Sequence, residues 1–162
     1  MKKTNVKLIA ESAIIAALYA ALTWLLAPIS YGAIQFRLSE VLILLVVIKP
    51  RYALAMIIGC FVANIPSTLG WYDMIFGTLA TAVAVIPMTK IKKLPIAAIL
   101  PVISNGFIIA LELGIAFDML DPAAFWFNVL TIALGEALVL YVIGIPVMYF
   151  IRKSGFFERN LN

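Results

Sequence analysis

The 162-residue sequence contains no histidine and a single cysteine, Cys60. The lack of histidine removes the most common general base and the most common metal ligand, so neither a hydrolytic nor a metal centre of the usual kind is expected. One cysteine cannot form an intramolecular disulfide, and the apolar segment around Cys60 indicates a small buried side chain. We therefore expect a protein that is not an enzyme and that holds no metal or cofactor of its own.

Charge is also scarce, since only 12% of the residues are charged while 65% are hydrophobic. The mean hydropathy of +1.12 lies far above the range of soluble globular proteins. The composition therefore predicts an all-α integral membrane protein, with residues 1–162 forming one transmembrane domain. The net charge of +4 does not indicate nucleic-acid binding, because the basic residues follow a membrane topology instead.

Six apolar segments are predicted to form the membrane helices. They cover residues 8–27, 38–48, 52–68, 71–89, 94–117 and 122–151. The second segment would be only about 16 Å long as an α-helix, so the preceding linker is predicted to dip into the membrane. Asp121 followed by Pro122 is typical of a helix start, with Asp121 as N-cap and Pro122 at the first helical position.

The basic residues predict the orientation of these helices. With six crossings, Arg37 alone among the 12 lysines and arginines falls on the side opposite the two termini. Basic loops face the cytoplasm in membrane proteins, so both termini are predicted to be cytoplasmic and the linker at residues 31–40 to be external.

That linker, YGAIQFRLSE, brings polar groups into an otherwise apolar region. A charged side chain at membrane depth costs at least about 2.5 to 3.5 kcal/mol, so these groups need partners or a purpose. Helical spacing predicts that polar groups of the other helices converge on the same outer half, as Asn105 and Glu112 are seven residues apart and share a face. The candidate substrate-binding residues are Gln35, Arg37, Glu40, Asn64, Trp71, Tyr72, Asp73, Asn105, Glu112, Asn128 and Glu136.

Structural roles are open for several of these residues. Intramembrane asparagines often join helices through hydrogen bonds, Trp71 and Tyr72 fit an interfacial aromatic belt, and Arg37 fits a pair with Glu40. One external cation cannot neutralise all the carboxylates predicted nearby. Some of them must be protonated, reach water or bind a cationic ligand.

The first helix carries alanines at four-residue steps: Ala13, Ala17 and Ala21 in one row, and Ala16 and Ala20 in another. Small residues at this spacing let a second helix approach closely. Spacing leaves open whether that helix belongs to a partner protein or to this chain.

Two motifs, YGAIQFRLSEVL and GWYDMIFGTLAT at residues 70–81, occur together with this alanine-stepped first helix on a six-segment chain. The whole chain thereby resembles the QueT family, the substrate-binding S components of energy-coupling-factor (ECF) transporters assigned to queuosine precursors. The resemblance implies an external pocket, roofed by the linker, in the plasma membrane of a prokaryote. It also implies that the two alanine rows dock on the transmembrane coupling protein EcfT.

The same resemblance implies that the ATPases EcfA and EcfA' drive transport. This chain has no phosphate-binding loop of the GxxxxGK[ST] kind, consistent with ATP being used by those partners. The implied ligand is prequeuosine-1 (preQ1), 7-aminomethyl-7-deazaguanine. One carboxylate would accept its guanine-edge N–H groups and a second would bind its ammonium group. Two alternatives remain: an S component for another cationic vitamin such as thiamine, and a stand-alone carrier in which Glu112 and Glu136 relay protons.

Overall fold

A computed structural model describes residues 3–31, 36–118 and 120–154. Within these residues the chain is helical and contains no β-strand, which confirms the all-α prediction. The α-helices are α1 (Lys3–Leu25), α2 (Ala27–Ser30), α3 (Leu45–Ile48), α4 (Ala53–Ala63), α5 (Trp71–Met88), α6 (Leu94–Ala97), α7 (Ile99–Ala116), α8 (Pro122–Ala137) and α9 (Ile145–Lys153). Two 3-10 segments, Leu38–Leu44 and Pro50–Tyr52, precede α3 and α4, and a π-helical segment, Leu138–Gly144, joins α8 to α9.

Four helical runs are long and apolar enough to cross a membrane: Val6–Leu25, Trp71–Met88, Leu94–Ala116 and Pro122–Lys153. They correspond to the first, fourth, fifth and sixth predicted helices. Asp121 caps the last run as expected, because its side chain accepts a hydrogen bond from the backbone N–H of Ala124 at 3.0 Å. The other two apolar runs, Leu38–Ile48 and Pro50–Ala63, are shorter.

The third predicted helix, residues 52–68, is longer than the helix in the structure. Helix α4 ends at Ala63. Pro66 has no backbone N–H and disfavours helical geometry at the residue before it, so the chain turns there although Ile65 is apolar. The turn is held by backbone hydrogen bonds from Ser67 to Asn64 and from Gly70 to Ser67, both 3.1 Å.

The second predicted helix has the expected bounds but a different geometry, since its first seven residues are 3-10 helical. A 3-10 helix rises about 2.0 Å per residue, so the run of 3-10 and α turns is roughly 20 Å long and still falls short of the hydrocarbon thickness of about 30 Å. Glu40 lies in this 3-10 segment.

The helices form a closed ring. Helix α1 packs on α4, α4 on α5, α5 on α7 and α7 on α8. The 3-10 segment Leu38–Leu44 packs both on α1 and on the π-helical segment, and so closes the ring between the first and last helices.

The distribution of polarity is the reverse of that in a soluble protein. Leu79, Phe107 and Leu134 lie within long helices and are 49%, 43% and 63% exposed. Glu112 and Asp73 are 0% and 2% exposed. Apolar groups facing outward and ionisable groups facing the bundle interior are typical of a protein surrounded by lipid.

The two alanine rows of α1 face different neighbours. Ala13, Ala17 and Ala21 are exposed, whereas Ala20 is 3% exposed and Ala16 is partly buried. A Cβ atom added to Gly59 of α4 would lie 3.1 Å from Cα of Ala16, so α4 approaches α1 on this side as closely as glycine permits. The second row therefore packs inside this chain, and Ala20 is not accessible to a partner.

Candidate ligand-binding site

Seven of the candidate binding residues are buried inside the bundle, with exposed fractions between 0% and 9%. These residues are Arg37, Glu40, Asn64, Asp73, Asn105, Glu112 and Glu136. They come from the linker, the 3-10 segment, the end of α4, α5, α7 and α8. Arg37 interacts electrostatically with all four of the buried acids, so these groups form one cluster.

Arg37 lies at the centre of this cluster and is the one buried cation among the described residues. Its Nη2 is 3.7 Å from Oδ1 of Asp73, an ion pair too long for a hydrogen bond. Its Nε donates a hydrogen bond to the carbonyl of Ser30 at 3.2 Å, and its guanidinium lies over the ring of Tyr31, 5.5 Å from the ring centre. Nη2 itself has no hydrogen-bond partner among the described residues, so it retains the capacity to donate to a ligand.

Asp73, in the first turn of α5, is held by two side chains from the preceding turn. The hydroxyl of Ser67 donates a hydrogen bond to its Oδ2, and Nδ2 of Asn64 donates to its backbone carbonyl at 2.9 Å. Gly77, one helical turn later, makes room for this arrangement. A Cβ atom there would lie 2.5 Å from Nδ2 of Asn64 and 3.7 Å from Nη1 of Arg37.

Glu112 of α7 is fully buried, with an exposed fraction of 0%. It interacts electrostatically with Asp73 and Arg37. Within the part of the chain that the structure describes, neither of its carboxylate oxygens meets a hydrogen-bond partner with good geometry. Glu112 is therefore an acid whose two oxygens make no hydrogen bond of good geometry, although the carboxyl group of Asp73 lies beside it.

Glu40 and Glu136 form a second acidic group, in which the two side chains interact electrostatically with each other. The hydroxyl of Tyr19 donates a hydrogen bond to Oε1 of Glu40. Oε2 of Glu40 and Oε1 of Glu136 lack partners among the described residues. Asn105 lies within reach of Glu136.

Tyr19 and Ser67 contact the predicted acids but are not among the residues predicted to form the site. Tyr19 stands on the face of α1 opposite Ala17 and Ala21, and Thr23, one turn later, shares a 2.7 Å hydrogen bond with Ser39. Two hydroxyl residues four positions apart on an apolar helix are the signal that could have identified this polar face.

The remaining described candidates are less buried than these seven. Trp71 is 58% exposed and stacks on Tyr72 with ring centres 3.9 Å apart, while Tyr72 and Asn128 are partly buried. Gln35 lies outside the described residues. The buried part of the site is thus made of carboxylates, amides and one guanidinium, without Trp71.

This arrangement suits a ligand that carries a positive charge and several N–H donors. Unpartnered carboxylate oxygens are hydrogen-bond acceptors, and the free Nη2 of Arg37 supplies a donor for a carbonyl. The described residues bring together no group of three or more metal-ligating side chains.

Comparison with known proteins gives one family and one curated relative. The queuosine precursor transporter QueT of Lactococcus lactis subsp. cremoris (strain MG1363) is 45% identical over 85 residues, which cover 51% of this chain and 50% of that protein. The alignment thus spans about half the length of the curated relative. No solved structure matches the chain.

The family match is more extensive than this alignment. The sequence model described as "QueT transporter" matches residues 9–153, which include α1 from residue 9 onward and all of α2 to α9. That family consists of transporters rather than enzymes, as expected from the composition. The chain belongs to the QueT transporter family.

Proposed function

We propose that this chain is the membrane-embedded substrate-binding component of an ECF-type importer. It captures a queuosine precursor, 7-aminomethyl-7-deazaguanine, from outside the cell and delivers it through EcfT and the ATPases EcfA and EcfA'. The observation that carries this proposal is the buried cluster of four acids around Arg37, the one buried cation in the described part of the chain, in a protein of the QueT transporter family. The printed name of the Lactococcus relative supports the choice of ligand.

The ligand chemistry matches the groups in the cluster. An aminomethyl group is cationic at neutral pH and relieves the excess of buried negative charge. A guanine-like edge presents adjacent N–H donors to a carboxylate and a carbonyl to a donor such as Nη2 of Arg37. An anionic vitamin would add to the repulsion between the acids.

The proposed architecture has six crossings and two cytoplasmic termini in the plasma membrane of a prokaryote. The short runs Leu38–Ile48 and Pro50–Ala63 would cross together with the linkers that extend them, which is permitted where irregular backbone is buried in protein. The exposed row of Ala13, Ala17 and Ala21 would contact EcfT. ATP would be used by the ATPase partners, and this chain would need no cofactor.

A binding experiment tests the proposed ligand. Calorimetry on the purified chain should show saturable binding of 7-aminomethyl-7-deazaguanine, with thiamine and guanine much weaker. Guanine lacks the ammonium group, so its affinity should be at least about 30-fold lower if that group pairs with a buried acid. A preference for thiamine would instead assign the chain to another cationic vitamin, and no binding of the deazaguanine would contradict the proposal.

An uptake experiment tests the energy source. Cells that lack their own transporter should accumulate the ligand only when this chain is produced together with EcfT and both ATPases. Uptake by the purified chain alone in liposomes, driven by a pH gradient, would support a proton-coupled carrier instead.

A further inference from the structure

We propose that the buried acids bind different groups of the ligand. Glu112 binds the guanine-like N–H edge, and the pair of Glu40 and Glu136 binds the ammonium group. In this assignment Asp73 is a positioning residue that holds Arg37. The inference rests on the proposed function, because it concerns how that ligand is recognised. It follows from which oxygen atoms already accept hydrogen bonds and from which acids interact with each other.

Asp73 has one oxygen held by a hydrogen bond, and its other oxygen faces Arg37 without a hydrogen bond. Oδ2 accepts the hydrogen bond from Ser67, and Oδ1 is the atom closest to the guanidinium of Arg37, at 3.7 Å. Asn64 holds the backbone of the same residue. Such a carboxylate is well placed to orient Arg37 and poorly placed to accept two further hydrogen bonds.

Glu112 has the opposite character. A bidentate contact to adjacent N–H donors requires both oxygens of one carboxylate, and both oxygens of Glu112 are buried without a hydrogen-bond partner among the described residues. The neighbouring Arg37 can donate to the carbonyl that lies beside those donors on a guanine edge. Glu112 and Arg37 together therefore match the donor–donor–acceptor pattern of that edge.

Glu40 and Glu136 form the second pair of neighbouring acids. They interact with each other as like charges, and each retains one unpartnered oxygen, while Oε1 of Glu40 is fixed by Tyr19. Two single oxygens on separate side chains cannot form a bidentate contact with a flat edge, but they can both accept hydrogen bonds from one ammonium group. A cation between them also removes their mutual repulsion.

The test compares two ligands in each variant. Dissociation constants are measured for 7-aminomethyl-7-deazaguanine and for its uncharged analogue 7-methyl-7-deazaguanine, which keeps the guanine edge. The wild-type chain should prefer the charged ligand at least about 30-fold. Because the selectivity is a ratio measured on one preparation, a variant that folds less well still reports it.

Glu40→Gln and Glu136→Gln should reduce that selectivity about tenfold or more, with little change in the affinity for the uncharged ligand. Glu112→Gln should weaken both ligands by a similar factor, roughly 5- to 150-fold, and leave the selectivity unchanged, because a glutamine amide turns one donor toward a donor of the edge. Asp121→Asn is the matched control, since asparagine also caps a helix and Asp121 is exposed and does not belong to the buried cluster. This control should change neither constant.

The melting temperature of the Asp73→Asn variant provides a second readout. This substitution leaves Arg37 buried without its anionic partner, so the ligand-free protein should melt at a lower temperature, whereas Glu112→Gln should not lower the melting temperature. Loss of selectivity in Glu112→Gln, with selectivity retained in Glu40→Gln and Glu136→Gln, would overturn the assignment and leave the proposed ligand standing. If the wild-type chain binds neither ligand, the proposed function itself fails.

Discussion

Glycine at position 77 shows how one residue determines the geometry of the site. Asn64 fills the space where a side chain would begin, and its Nδ2 is fixed by the 2.9 Å hydrogen bond to the carbonyl of Asp73. Asn64 cannot move away without breaking that bond, and Arg37 borders the same space. The absence of a side chain at Gly77 thus lets the linker, the end of α4 and α5 meet.

Gly77→Ala should therefore displace Asn64 and weaken both the fold and ligand binding. A buried hydrogen bond lost with its partner left unsatisfied costs about 1 to 3 kcal/mol, so a decrease of that size in unfolding free energy and a matching loss of affinity are expected. Thermal unfolding and calorimetry of the purified variant measure the two effects.

A double variant that carries both Gly77→Ala and Asn64→Ala tests whether the loss in Gly77→Ala is caused by displacement of Asn64. If the added methyl group acts by displacing the amide, Gly77→Ala should have little further effect once Asn64 is alanine, and the two substitutions should be clearly non-additive. Additive losses would mean that Gly77 acts through something other than Asn64.

At the scale of single residues, the sequence predicts burial more reliably than it predicts hydrogen-bond partners. Asp73, Gly77, Thr81 and Ala84 are spaced three or four residues apart, which places them on one face of α5, and all four are buried. Periodicity cannot show that Tyr19 donates to Glu40, because the two residues lie 21 positions apart on different elements. Contacts between elements depend on how helices are arranged around the ring, which no local pattern contains.

At the scale of elements, helix ends were predictable where a specific residue stops or starts the helix. Pro122 and Asp121 mark the start of α8, and α5 ends one residue before the predicted residue 89. The predicted end of the third helix, residue 68, lies five residues after the observed end at Ala63, because the chain turns before Pro66. The 3-10 geometry of Leu38–Leu44 could not be predicted from the sequence either, since its residues have the composition of an ordinary apolar α-helix.

Helix α1 uses its two sides differently. One side carries Ala20, Tyr19 and Thr23, which are all buried against the rest of the chain. The opposite side presents Ala13, Ala17 and Ala21, which are exposed and small. Small residues allow close helix contact in a membrane, so the exposed row is suited to a partner helix.

Ala17→Leu should spare ligand binding and prevent assembly with EcfT. The larger side chain points away from the buried cluster, but it would hold a partner helix away from α1. Calorimetry should give an unchanged dissociation constant, whereas co-purification with EcfT and ligand uptake should be strongly reduced.

The matched control for this substitution is Ala123→Leu, which makes the same change at an exposed position at the start of α8. It should leave binding, co-purification and uptake unaffected. Normal uptake in the Ala17→Leu variant would contradict a docking role for the exposed row.

At the scale of the whole molecule, contacts between distant segments agree with the charge distribution. Oε2 of Glu11 lies 2.9 Å from Nη2 of Arg51 and accepts a hydrogen bond from the hydroxyl of Tyr52 at 2.7 Å. The N-terminal half of α1 therefore lies at the same end of the bundle as the turn between α3 and α4. Both segments are basic, as expected if this end faces the cytoplasm.

The single cysteine makes this orientation directly testable. Cys60 is buried, so Cys60→Ala provides a background in which new cysteines can be labelled one at a time. Lys92→Cys, in the exposed basic turn before α6, should react with a membrane-impermeant maleimide only after the cells are permeabilised. Leu120→Cys, at the 63% exposed position before α8, should react in intact cells.

These two turns are separated by one long apolar run, Leu94–Ala116, so a membrane crossing requires opposite results at the two positions. Reaction of Lys92→Cys in intact cells with protection of Leu120→Cys would reverse the topology, and the acidic cluster would then open toward the cytoplasm and could not capture a ligand from outside.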